Sequence, residues 1–89
     1  MVENIIIGKP IVEPWMMFAY DEADWEAVEK EKTMWTEERN LPKLMKEIGM
    51  VNSISEVRRN QPKLCVNLNE LDFIRVKWGK RFVFILVGN

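Results

Sequence analysis

The strongest constraint on the fold is a row of helix stop and start signals in the middle of the chain. Asn40 is a good N-cap, and Pro42 falls in the first turn, where its missing N–H costs nothing. Leu41, Leu44, Met45 and Ile48 then repeat at helical spacing and form one apolar face. Gly49 follows at the position where a left-handed residue stops a helix most cheaply. Four residues on, Ser53 and Glu56 make a capping box for a second short helix, which runs through Val57, Arg58 and Arg59 to about Asn60. Pro62 prevents it from continuing. Residues 40–62 therefore predict two short helices with fixed ends.

On either side the signals are those of strands and one longer helix. Ile5-Ile6-Ile7 predicts a short strand, closed by Gly8-Lys9-Pro10, with Ile11 and Val12 available to extend it before Pro14. Trp15 to Tyr20 is apolar without a clean period, and a buried connection, a short strand and a first helical turn all fit it. Asp21 or Asp24 can cap a helix reaching to about Glu38, and the acids of its first turns suit the helix dipole. On that helix Trp25, Val28 and Trp35 share one side, with Ala23, Ala27 and Met34 nearly opposite. A helix apolar on two sides packs on two things, so its tryptophans face either the core or a second copy in a homodimer. After Pro62, residues 64–68 alternate, Phe73, Ile74 and Val76 follow, and Phe82 to Val87 is almost continuously apolar. The last two stretches predict an antiparallel hairpin turning at Trp78-Gly79-Lys80-Arg81. Cys65, mid-strand, is expected to be a small buried hydrophobe.

At 89 residues the chain is long enough for one domain, and 47% hydrophobic residues can supply its core. Four Trp and four Phe argue against disorder, and one Cys cannot build a disulfide framework. With no His, the Ser-His-Asp and Cys-His arrangements and His-ligated metals are excluded. No phosphate-binding glycine loop is present, no cofactor or metal is expected, and nothing marks two of the fourteen acids as a working catalytic pair. No apolar run approaches the about 20 residues of a membrane span, and the start lacks a basic region followed by an apolar one. A soluble, cytoplasmic, non-enzymatic protein is the expectation.

The net charge of −1 conceals a division. Residues 1–40 carry ten acids and four bases, whereas residues 41–89 carry four acids and nine bases. A basic half can attract phosphates or an acidic partner.

The boundary between the halves is also where a resemblance starts. Leu41-Pro42-Lys43-Leu44-Met45-Lys46-Glu47-Ile48-Gly49, followed by Ser53-Ile54-Ser55-Glu56-Val57-Arg58-Arg59, resembles the first two helices of the S-four, or alpha-L, RNA-binding domain. That fold also forms the tail of bacterial tyrosyl-tRNA synthetases. Gln61, Val66 and Asn67 match the stretch that opens the family's strands, and Val76 to Ile85 is similar to its closing hairpin, with Gly-Lys-Arg at the turn. The chain departs from the family at Ile54, at Pro62-Lys63-Leu64 and at Asn67-Leu68-Asn69, where a basic residue, a glycine and Asn-Gly are usual.

The resemblance implies an α+β fold: a short helix pair followed by a small antiparallel sheet, with an N-terminal strand and long acidic helix added. Residues 1–89 would form a single domain, 1–40 an acidic extension and 41–89 the RNA-binding-like core. It implies binding of structured RNA through Lys43, Arg58, Arg59 and Lys63 on the helix pair and Lys77, Lys80 and Arg81 at the hairpin turn. Trp78 would either stack on an unpaired base or fold into the core. The alternative is a protein-interaction or oligomerisation domain that has kept the fold and lost the RNA face, with Trp25, Val28 and Trp35 as the contact.

Overall fold

A computed structural model describes residues 1–27 and 29–89. Val28, assigned above to the two-sided helix, lies outside the described residues. The chain divides into two compact units, one made of Met1–Glu37 with Glu70–Asn89 and the other of Glu38–Asn69.

The first unit is built on strand β1, Asn4–Ile7, whose four residues are all buried. Three isoleucines in a row fit a strand with apolar cover on both faces. β1 is an inner strand of a four-stranded sheet of order β2-β1-β4-β3, where β2 is Thr33–Thr36, β3 is Asp72–Trp78 and β4 is Arg81–Val87. It runs parallel to both neighbours: Ile7 lies opposite Thr36 on one side and Val87 on the other. β3 pairs antiparallel with β4, and the predicted hairpin is present, with Trp78 opposite Arg81. Gly79, at φ 64°, takes the positive φ that the first central residue of a two-residue type II′ turn requires.

Joining parallel β1 to β2 needs a crossover, and residues 8–32 supply it. It contains two short helices, α1 (Pro14–Phe18) and α2 (Glu22–Ala27). The ambiguous stretch from Trp15 is thus helical as far as Phe18. Asp21 does cap α2, its carboxylate accepting the Asp24 N–H at 2.8 Å. The single helix expected over residues 21–38 does not form. A 3-10 turn at Glu29–Lys32 is closed by Thr33 Oγ1 donating to the Glu29 carbonyl, and the chain then extends as β2. Thr33, Trp35 and Thr36 are β-branched or aromatic, and β1 offers them a ladder, tied at its ends by Glu3 N–H to Lys32 O and Gly8 N–H to Thr36 O.

The second unit follows its caps. α3 (Leu41–Glu47) starts with Asn40 Oδ1 accepting the Lys43 N–H at 3.1 Å and buries Leu41, Leu44 and Met45. It ends at Gly49, φ 78°, with Met50 N–H bonded to Met45 O and Gly49 N–H to Lys46 O, the two bonds of a Schellman motif. α4 (Ile54–Asn60) has Ser53 Oγ accepting the Glu56 N–H, while the Glu56 carboxylate accepts the N–H of Asn52, one residue before the cap.

The strand expected over 64–68 is absent. Pro62–Leu64 forms a 3-10 turn, and the chain then straps back to the start of α3. That strap consists of the Asn40–Asn67 bridge with Leu41 N–H to Val66 O and Leu68 N–H to Arg39 O. Cys65 in this strap is exposed, contrary to the buried role expected for it. Helices with a small sheet make the protein α+β, but the sheet is mixed rather than antiparallel, because β1 and β2 join it and 64–68 does not. No helix among the described residues is long and apolar enough to cross a membrane.

Candidate nucleic-acid surfaces

The seven basic residues singled out from sequence fall into two groups, one in each unit. Arg58 and Arg59 occupy the last turn of α4, and Lys63 sits in the 3-10 turn directly after it. All three are exposed, and none is in an ion pair among the described residues. Lys43, on α3, is exposed as well but lies 3.8 Å from the Glu38 carboxylate. This unit carries six bases against three acids. Glu56 is occupied by the Asn52 N–H and Glu38 by the N–H groups of Arg39 and Asn40.

In the other unit Lys77 and Lys80 are exposed beside the hairpin turn. Arg81 differs from them. It is half-buried, and its Nη2 donates to the Val2 carbonyl at 3.0 Å, tying β4 to the residues before β1. Trp78 is half-buried, between the two alternatives stated for it. Of the tryptophans offered as a dimer contact, Trp25 is in the core, 6% exposed against Ile6 and Leu86, with Trp15, Met17, Phe18 and Ala19 around them. Trp35, on the outer strand β2, is 54% exposed.

The strand register divides the hairpin's side chains between two faces. Ile74, Val76, Val83, Ile85 and Val87 lie on one. Phe73, Arg75 and Lys77 of β3 lie on the other, opposite Leu86, Phe84 and Phe82 of β4. Leu86 is covered by Trp25, but other rings on this face are open: Phe73, opposite Leu86, is 38% exposed, and Phe82, near the turn, is 46% exposed. The rings form a continuous chain. Phe18 meets Phe73 edge-on at 5.6 Å, Phe73 stacks on Phe84 at 6.1 Å, and Phe84 meets Phe82 edge-on at 5.8 Å. The Arg75 guanidinium carbon is 5.7 Å from the Phe82 ring centroid. Beside the rings is an open cleft of about 740 Å³, lined by these phenylalanines, Phe18, Glu29 and Lys80 among others.

Arg75 and the three phenylalanines were not singled out from sequence as surface residues. Their signal is the alternation Phe73-Ile74-Arg75-Val76-Lys77, in which every second residue is β-branched and apolar and the rest are aromatic or basic. Among the described residues no group of three or more His, Cys, Asp or Glu side chains could hold a metal ion. No family model, curated protein or solved structure matches the chain, so its function is read from its own residues.

Proposed function

We propose that the protein is a small non-enzymatic RNA-binding module of the alpha-L type, which takes structured RNA on its basic helix pair and hairpin turn. The observation that carries this reading is the exposed cluster of Arg58, Arg59 and Lys63 at the end of α4, in a unit where two of the three carboxylates are engaged by its own backbone N–H groups. Such a cluster supplies phosphate contacts, which set affinity without reading sequence. Lys77 and Lys80 add the same chemistry at the hairpin. A titration with an RNA hairpin at two salt concentrations tests it. Each neutralised phosphate contributes a slope of about −0.9 in log K against log salt on a duplex. No binding at low salt would remove the reading.

A second reading is self-association through the outer edge of β2, favoured by the exposure of Trp35. Light scattering across a concentration series tests that one: a strict monomer eliminates it.

A further inference from the structure

The two faces of the β3–β4 hairpin are unlike in chemistry. One carries Val76, Val83 and Ile85 and is buried. The other presents Phe73, Phe82 and Phe84 with Arg75 and Lys77 between them in the strand register. A sheet that merely needed a solvated face would carry polar side chains there. Instead, two phenylalanines on this face are more than a third exposed. Their neighbours across the strands and at the turn, Arg75, Lys77 and Lys80, are exposed cations.

Resting on the RNA-binding reading above, we propose that the open part of this face is a stacking platform for two or three unpaired nucleotides of an RNA, with Phe73, Phe82 and Phe84 beneath the bases and Arg75, Lys77 and Lys80 toward the phosphates. Three properties of the site point to this occupant. Every base has a π face, so exposed rings hold unpaired nucleotides whatever their sequence, and four-stranded sheets that carry aromatic side chains on an open face hold two or three bases in this way. The exposed charge of the hairpin is complementary to a phosphate backbone: Arg75, Lys77 and Lys80 stand against one acid, Asp72, at the end remote from the turn, while Glu3 and Glu29 line the cleft beside the rings. The Arg75 plane already lies near the Phe82 ring, in an arrangement a base can extend. The cleft next to the rings falls in the range of 300–1,000 Å³ typical of ligand sites, large enough for a base turned off the platform.

The test uses the full chain, a labelled ten-nucleotide unpaired uridine RNA, and a blunt RNA hairpin closed by a non-nucleotide linker, so that it has no unpaired base. Phe82→Ala should weaken binding of the unpaired RNA about 5- to 150-fold, the range for losing one stacked base, and leave the hairpin affinity unchanged. Phe82→Trp should retain binding, and Phe82→Leu, which keeps the bulk without the ring, should behave as Phe82→Ala. Lys77→Gln should lower the salt slope on the unpaired RNA by about 0.7. If Phe82→Ala and Phe82→Leu leave the unpaired RNA bound as before, while Arg58→Gln with Arg59→Gln weakens the hairpin, the platform is overturned and the module reading stands. If neither RNA binds at low salt, both are overturned. Equal displacement of the unpaired RNA by poly-glutamate would also overturn the platform, since it would show a charge patch indifferent to bases.

Discussion

The two faces of one β-hairpin differ in burial and in the chemistry they present. Val76, Val83, Ile85 and Val87 on the inner face are at most 3% exposed. On the outer face of the same two strands Phe73, opposite Leu86, is 38% exposed, and Phe82, near the turn, is 46% exposed. Only Leu86, at the far end, is packed under Trp25. The inner side chains are small, branched and interchangeable in chemistry, as a packing role requires. The outer ones combine large rings with fixed cations, which packing does not require. A strand can serve both roles because its side chains alternate, so a change on one face leaves the other in place.

Four substitutions would break or sharpen this contrast. The largest loss is expected from Trp25→Ala, which removes the cover from Ile6 and Leu86 and should cost about 3–5 kcal/mol in a denaturant titration. Ile85→Ala, on the inner face, should cost about 2–5 kcal/mol, read the same way. Its counterpart Phe82→Ala should cost only about 1 kcal/mol, because half the ring is already in water and what is lost is an edge-on ring contact and a cation–π contact. If Phe82→Ala proved as damaging as Ile85→Ala, the outer face would be core, and the division of roles would fail. Lys77→Gln should change the unfolding free energy by no more than about 0.5 kcal/mol in the same denaturant titration, since it is an exposed surface change.

The helix pair lies at the opposite extreme from the sheet in how far it can be read from the chain. Asn40, Pro42, Gly49, Ser53 and Glu56 act on backbone groups no more than five residues away, so their effect is written in the local sequence. Ser53→Ala, removing one such local bond, should cost about 1 kcal/mol in the same denaturant titration. Residues 33–36 show the reverse. Their apolar spacing continues the helical pattern from Asp21, and only the ladder to β1, about thirty positions earlier in the chain, makes them a strand. Residues 64–68 alternate like a strand, yet Pro62 starts a 3-10 turn there and the following backbone bonds to Arg39 and Leu41. The basic cluster of α4 was legible because arginines at a helix end are visible in one dimension. The outer face of the hairpin was half legible: Lys77, Lys80 and Arg81 drew attention as charges at a turn. Arg75 becomes part of a surface only when Phe82 and Phe84 are brought opposite β3. Arg81 went the other way, since its bond to the Val2 carbonyl depends on a contact between residues 79 positions apart.

The position of β1 has a consequence for how the chain is made. Synthesis delivers Asn4–Ile7 first, its neighbour Thr33–Thr36 some thirty residues later, and its other neighbour Arg81–Val87 only near residue 89. For most of translation, three consecutive isoleucines have at least one unmatched ladder edge. Short apolar β-branched runs in that condition invite pairing with the same run on another nascent chain. Glu3 and Lys9 flank the run with opposite charges and Pro10 follows, which limits how far such a pairing can extend. Until both Thr33–Thr36 and Arg81–Val87 are paired with it, this run is therefore the segment of the sheet most open to pairing with another copy of itself.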